Sequence, residues 1–365
     1  MMGADGLDEE DLSPGWDAID AACARLYPDQ KPKHYGTLRR WTMGGRDPLD
    51  GISAYKCASP VAHWHFVTYG LSELYAKETN DAETSGFGFE LTFRLACCPD
   101  DAEPPAFALN FLQNLARYVF DTGNAFDDGH WMSANGPIAR DTDTAICSMG
   151  FVFDPQLPAI DTPNGQLAFL QIVGLTADEE KAARSWKTRP LLELLLPHMP
   201  LWITDLARRS LLEREEVRAQ VDEGVRRDGS SCGSLFVDVL SWRVQDEARA
   251  PAFEITLGAG PLRDLLALLP LRLPFDRDFH YFGHDTALRF RRGDVSCVNV
   301  DDDVLTLQLT DATCEALLRG LEPRAGRYAI DGLEGVSWVV EKTVILDGDG
   351  NPVEVIGDAS SDGSA

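Results

Sequence analysis

Positive charge is scarce in this sequence: 33 Lys and Arg stand against 59 Asp and Glu, a formal net charge of −26. A nucleic-acid backbone is bound by cations that displace its counterions, so the charge argues against it as the main partner. It argues against an anionic membrane surface on the same ground. A basic macromolecule is permitted. Cysteine is sparse too, with 8 in 365 residues, too few for a disulfide framework, and the adjacent Cys97 and Cys98 do not form a CxxC pair. Long hydrophobic runs are missing. The richest stretches, 190–203 and 262–271, are broken by Glu193, His198, Arg263 and Asp264, and neither nears the roughly 18 apolar residues of a membrane span. The first 13 residues are acidic and contain no apolar run of the signal-peptide kind. A cytoplasmic, reducing setting is expected, with neither nucleic acid nor membrane as partner.

Catalytic signatures are equally scarce. GxSxG, HExxH and kinase motifs do not occur. Gly86-Phe87-Gly88-Phe89-Glu90 has neither the spacing of a dinucleotide loop nor a phosphate-binding lysine, so its glycines are read as allowing a turn or a close backbone approach. Ser230, Ser231 and Ser234 have no histidine nearby in sequence. His63 and His65 alternate in a strand candidate, which puts both on one strand face and suits a metal ion. No third ligand has a convincing spacing, and a pair of hydrogen-bonded, half-buried histidines is the weightier reading. A zinc-dependent enzyme using His63 and His65 is kept as an alternative. His280 and His284 would pair only on a helix, whereas Phe279, Tyr281, Phe282 and Gly283 read as strand and turn. The expectation is a protein with no cofactor and no catalysis.

What is present is an ordinary globular composition, 44% hydrophobic and 25% charged. Its 365 residues exceed the roughly 250–300 at which one core stops growing, so two domains are expected. Trp16, Ile19, Cys23 and Leu26 recur at helical spacing, and residues 28–60, rich in turn formers, read as irregular. Strands are expected at 63–69, at 86–95 with strict alternation, at 145–153 and at 165–173. Residues 108–119 form the clearest helix, with Phe111, Leu112, Leu115 and Val119 on one face. Helices are also expected after Thr176 and over 211–227, and a strand at 235–242. Beyond the polar stretch 245–251, strands are expected at 253–257, 287–290, 304–309, 328–330 and 336–345, with helices at 262–269 and 310–318. The resulting organisation is an acidic disordered tail over 1–15, a first lobe over 16–246, a second over 251–346 and a flexible tail over 347–365. Irregular alternation of helices and strands argues for an α+β fold, each lobe a mixed β-sheet packed by helices.

One aromatic residue stands out. Tyr118 lies near the last turn of the 108–119 helix, followed by Asn124 and Gly129-His130-Trp131. It reads as an amphipathic side chain at a core margin, or as a rigid anchor for a partner.

Several ordered segments resemble the Suppressor of fused family. They are His63-Trp64-His65-Phe66-Val67-Thr68-Tyr69-Gly70-Leu71, Ser85-Gly86-Phe87-Gly88-Phe89-Glu90-Leu91-Thr92-Phe93, Leu115-Ala116-Arg117-Tyr118-Val119-Phe120, Leu170-Gln171-Ile172-Val173-Gly174 and Leu201-Trp202-Ile203-Thr204-Asp205. Similar but weaker matches occur at 277–290 and 307–310, so the resemblance spans roughly 55–345. It implies a non-enzymatic protein of two lobes that holds a peptide of its partner, as an added β-strand, in the cleft between them. It places the family's cleft tyrosine at Tyr118 and a partner-binding aspartate at His130, where this sequence departs from the pattern. The second lobe has no room for the long insertion of the animal members, and a compact form resembles the bacterial ones. For those the resemblance implies an immunity protein that neutralises a polymorphic toxin, a basic toxin domain being the fitting partner. The alternative is a regulatory or scaffold protein that binds an endogenous peptide.

Overall fold

The computed structural model describes residues 13–39, 41–140, 142–246, 252–346 and 351–358. They form two compact units. The first comprises the described residues up to Glu180 together with Thr188–Val217, and the second comprises Lys181–Lys187 and the described residues from Arg218 onward.

In the first unit the helix α1 (Pro14–Leu26) precedes strands β1 (Lys33–Gly36), β2 (Gly51–Cys57), β3 (His63–Tyr69) and β4 (Thr84–Ala96). Helix α2 (Ala106–Thr122) leads to β5 (Trp131–Ser133), β6 (Ile146–Phe153), β7 (Ile160–Thr162) and β8 (Gly165–Thr176). Helix α3 (Ala177–Ser185), which belongs to the first unit only as far as Glu180, and α4 (Thr188–Leu195) follow. The strands make one sheet in the order β1-β2-β3-β4-β8-β6-β5, with β7 also paired to β8. The β4–β8 pair is parallel, Leu91 opposite Leu170, and the other neighbours are antiparallel.

Alternation along the central strands sorts side chains to two covered faces. Trp64, Phe66, Leu91, Phe93, Leu170 and Ile172 pack under α2, whose Leu112, Leu115, Ala116 and Val119 meet them every third or fourth residue. Val67, Tyr69, Leu167 and Phe169 face Ile19 and Cys23 of α1. Helix α2 begins after Pro105 and ends at Gly123, whose φ of 73° supplies the left-handed turn and whose N–H reaches the Val119 carbonyl at 2.8 Å.

The second unit holds α5 (Glu215–Asp228) from Arg218 onward, then β9 (Ser234–Phe236), β10 (Leu240–Asp246), β11 (Ala252–Gly258) and α6 (Ala259–Leu268). Strands β12 (Phe279–Phe282), β13 (Ala287–Arg292), β14 (Cys297–Asp301) and β15 (Val304–Leu309) precede α7 (Asp311–Gly320). Strands β16 (Gly326–Ala329), β17 (Val336–Glu341), β18 (Thr343–Leu346) and β19 (Pro352–Ile356) complete it. A four-stranded sheet runs β10-β11-β17-β16 and a five-stranded one β14-β15-β13-β12-β9. One core joins Ile255, Leu257, Leu265, Phe290, Leu307, Leu317 and Trp338.

The mixed α+β character read from the sequence is present, and several particulars differ. Residues 28–60, expected to be irregular, contain β1 and β2. Gly51–Cys57 has no clean alternation because all but its last two residues are buried, and its pairing with β3 overrides weak local preference. The stretch 235–242 is two strands in different sheets, and 336–345 is likewise divided. A junction expected at 245–251 falls largely outside the described residues. The strands flanking it, β10 and β11, pair antiparallel, and the division between units comes earlier, after Val217. The expected tails at 1–15 and 347–365 also lie mostly outside the described residues, but Pro14 and Gly15 open α1, and 352–356 pairs with β18. No helix among the described residues is long and apolar enough to cross a membrane. All eight cysteines are free thiols.

Candidate functional site

His63 and His65 come onto one face of β3, as their spacing requires, with Cys57 opposite His63 in the register of β2. Both are buried because β3 is covered on both sides. The imidazole of His65 is already engaged at both nitrogens. Nδ1 is 2.7 Å from the Tyr27 hydroxyl, and Nε2 is 3.2 Å from Oδ2 of Asp154. Burial, then the adjacent Arg94 charge, push its pKa down to about 4 against the pull of Asp154. The neutral ring therefore accepts the Tyr27 O–H at Nδ1, while Nε2 faces the Asp154 carboxylate at ion-pair distance. His63 uses Nδ1 on the Val61 carbonyl at 2.6 Å, and burial lowers its pKa.

Asp154 is the hub of this cluster. Arg94 Nη1 and Nη2 donate to its two oxygens at 2.5 and 3.0 Å, and Thr92 Oγ1 adds a bond of 2.7 Å. The N–H groups of Gln156 and Leu157 reach it at 2.8 and 2.9 Å. Despite burial, the His65 hydrogen bond and the Arg94 guanidinium hold its carboxyl well below the usual carboxylate range. The arrangement locks strands β3, β4 and β8 to the loop after β6. No set of three or more metal-ligating side chains occurs among the described residues.

Tyr118 has a different setting. It is half-buried on the last turns of α2, and its ring stacks on Phe126 at 5.7 Å, which stacks in turn on the buried Phe151 at 4.2 Å. Its hydroxyl accepts a bond from Asn124 Nδ2 at 3.2 Å. One side of Tyr118 lines a groove of about 620 Å³ running between α2 and the segment from β5 to Thr142. Phe107, Asn110, Asn114, Met132, Ile138 and Arg140 are among its other walls. Strand β5 ends the sheet order, so among the described residues no further strand pairs with its outer edge.

His130 immediately precedes β5 and is exposed. Its Nδ1 accepts the Asp127 N–H at 3.1 Å, and its own N–H and carbonyl bond Asp127 and Phe151 at 3.0 Å each. It is thus fixed beside the groove without lining it. Of the two residues singled out in the sequence, Tyr118 lines this groove and His130 does not; Asn110, Asn114 and Met132 line it and are not singled out there. The signal for two of these was available: Asn110, Asn114 and Tyr118 recur every fourth residue on the side of α2 away from its apolar stripe. Met132 carries no such signal, because β5 is too short to show alternation.

Comparison with known proteins bears on the family and the fold. A family model described as Suppressor of fused protein (SUFU) matches residues 45–209. The Suppressor of fused homologs of Mus musculus and Homo sapiens are 37% and 38% identical over 270 residues, 68% of this chain and 55% of each relative. The matched region is thus about half the length of those curated relatives. The crystal structure of Drosophila Suppressor of Fused superposes with a TM-score of 0.77, covering 91% of this chain and 98% of that one at 24% identity. A chain of the Sufu–Fu complex matches with a TM-score of 0.53 at 32% identity, over 59% of this chain and 98% of that one. The shared fold, the matching segments and the level of identity agree: this chain belongs to the Suppressor of fused family.

Proposed function

We propose that this chain is a non-enzymatic protein-binding module that takes an extended segment of its partner along the outer edge of β5, with Tyr118 as the anchor. The observation that carries this reading is the coincidence of an open sheet edge with a groove lined by Tyr118, the outer ring of an aromatic stack. An added strand gains affinity from main-chain hydrogen bonds, while side-chain pockets supply selectivity. The family relative in the Sufu–Fu complex is itself a protein bound to a protein.

His130 adds a distinct chemistry. With Nδ1 occupied by the Asp127 N–H, the neutral ring carries its proton on Nε2 and presents a donor where the family resemblance places an acceptor. The finer reading is an immunity protein that neutralises a basic toxin domain. The net charge of −26 supports it, because an acidic surface accelerates encounter with a basic partner.

Two experiments test the reading. The partner is captured from the source cell and its bound segment mapped. N-methylation of alternate backbone amides in that segment should then abolish binding at the residues whose N–H faces β5, and uniform tolerance would remove strand addition. Where a neighbouring gene proves toxic when expressed alone, co-expression with this chain should restore growth. Absence of rescue by a chain that still binds its partner would replace the immunity role with regulatory binding of an endogenous peptide.

A further inference from the structure

A second cavity in the first unit, of about 250 Å³, lies between the C-terminal end of α2, the loop after β3 and the start of β4. Three aromatic rings wall one side. Phe120 packs against Phe87 at 5.1 Å and 65°, and against Trp41 at 5.5 Å and 63°. Trp41 is 37% exposed, a large surface for an indole that is packed on a neighbour. Asp50 and Glu78 also line the cavity, and neither carboxylate has a hydrogen-bonded or ion-paired partner among the described residues.

The walls are held firmly. Glu73 accepts the N–H groups of Glu78 and Thr79 at 2.6 and 2.5 Å and the Lys77 ammonium at 2.8 Å. Lys77 also reaches the carbonyls of Thr84 and Asn164. The one lysine in this loop is therefore consumed in fixing the backbone, and Glu78 has no ion-paired partner among the described residues. On the other side of the loop, the buried Glu90 accepts the N–H groups of Gly70 and Ser72 at 2.9 Å each and the Ser72 hydroxyl at 2.6 Å. A ring face carries negative electrostatic potential. Aromatic rings and two acidic residues lining one cavity make a pocket that attracts a flat, weakly hydrated cation more than a neutral apolar group.

We propose that this pocket binds an arginine side chain of a protein partner, its guanidinium against the Trp41 and Phe120 rings and its N–H groups toward Asp50 and Glu78. Arginine fits better than lysine because its planar head stacks on rings while keeping its donors for carboxylates. The inference rests on the protein-binding reading, but the pocket shares no wall residue with the β5 groove. The two sites can therefore fail separately.

The test uses the full chain, ¹⁵N-labelled, titrated with the capped tripeptide acetyl-Gly-Arg-Gly-amide and with its citrulline counterpart, which is nearly isosteric and uncharged. The Trp41 indole N–H is identified by its loss in Trp41→Phe. The arginine peptide should shift that resonance and bind at least about fivefold more tightly than the citrulline peptide, the scale of a partly exposed cation–π contact. Asp50→Asn with Glu78→Gln should reduce that ratio, and Phe120→Leu should weaken the arginine peptide. Both variants are checked for an unchanged melting temperature. Tyr118→Ala should leave the shift intact, which separates this pocket from the β5 groove. Equal affinity for the two peptides, or a Trp41 resonance unmoved by arginine, would overturn the proposal.

Discussion

The ring of Tyr118 lies nearly parallel to that of Phe126, 5.7 Å away with 20° between planes. Because Phe126 stacks on Phe151, which is fully buried, the tyrosine is the outer member of a three-ring column rooted in the core. Such a column fixes the ring before any partner arrives, so little side-chain entropy remains to be lost on binding.

Tyr118→Ala should therefore weaken binding of the captured partner by about 2 kcal/mol or more, roughly 30-fold in affinity. The stability cost should stay below the roughly 3 kcal/mol of a fully buried aromatic truncation, because the ring is only half-buried. Calorimetric titration and chemical denaturation of the same variant separate the two effects. A folded variant with unchanged affinity would remove Tyr118 from the site.

Arg94→Met should cost about 3–5 kcal/mol of stability, since it leaves the buried Asp154 carboxylate without its bidentate partner. Replacing Arg94 and Asp154 together by apolar residues should cost less than the arginine change alone. Urea denaturation of both variants checks this, and a double variant less stable than Arg94→Met would refute it.

Acid should weaken the first unit in a defined window. The pKa of His65 in the folded chain, about 4, is below that of an unfolded imidazole, so the unfolded chain takes up the proton first as pH falls. Its contribution is complete above pH ~6.5 and is lost progressively down to about pH 4. His34 and His63 are shifted in the same direction by burial and add to the slope. His65→Gln should flatten the decline, by up to about 3 kcal/mol over the window. Denaturation series at closely spaced pH values measure it, and an unchanged slope would show that His65 is already charged in the folded state.

Two glycines should respond differently to alanine. Gly86 has a φ of 57°, and a Cβ there would lie 2.6 Å from the Leu71 carbonyl oxygen, so Gly86→Ala combines backbone strain with a clash. Gly123 has a φ of 73° with no atom within 4 Å of its Cβ position, so only strain remains. The expected losses are about 3 kcal/mol or more for the first and about 1 kcal/mol for the second. Melting temperatures of the two variants rank them, and equal losses would contradict the close approach of β4 to the loop after β3.

Sequence pattern was most informative where burial is one-sided or rhythmic. The helix over 108–119 and the alternation over 86–95 appear as α2 and β4, extended by one to three residues at each end. The glycines at 86 and 88, read as backbone devices, have positive φ and sit where the β4–β8 register shifts. Strand β2 was invisible because it is buried on both faces and therefore does not alternate. The aromatic column at Tyr118 was half legible. The tyrosine could be singled out, but Phe126 reaches it from a loop, and the fold alone decides which ring a loop presents. The polar hub at Asp154 could not be found at all, since its partners come from residues 65, 92 and 94 and one carboxylate among 59 acidic residues carries no mark.

The parallel pairing of Leu91 with Leu170 sets an order of events for this chain as it is made. No local hairpin can form that contact, so β4 must wait for the whole of α2, β5, β6 and β7 before its second neighbour exists. Even then the first unit is unfinished, because Thr204, whose N–H bonds the Arg94 carbonyl at 2.8 Å, is supplied only after seven residues of the second unit have passed. Contacts of such high sequence separation carry a large loop-closure cost and slow folding. During synthesis the open side of β4 is a bare strand edge, a point of vulnerability to intermolecular pairing for as long as β8 is missing.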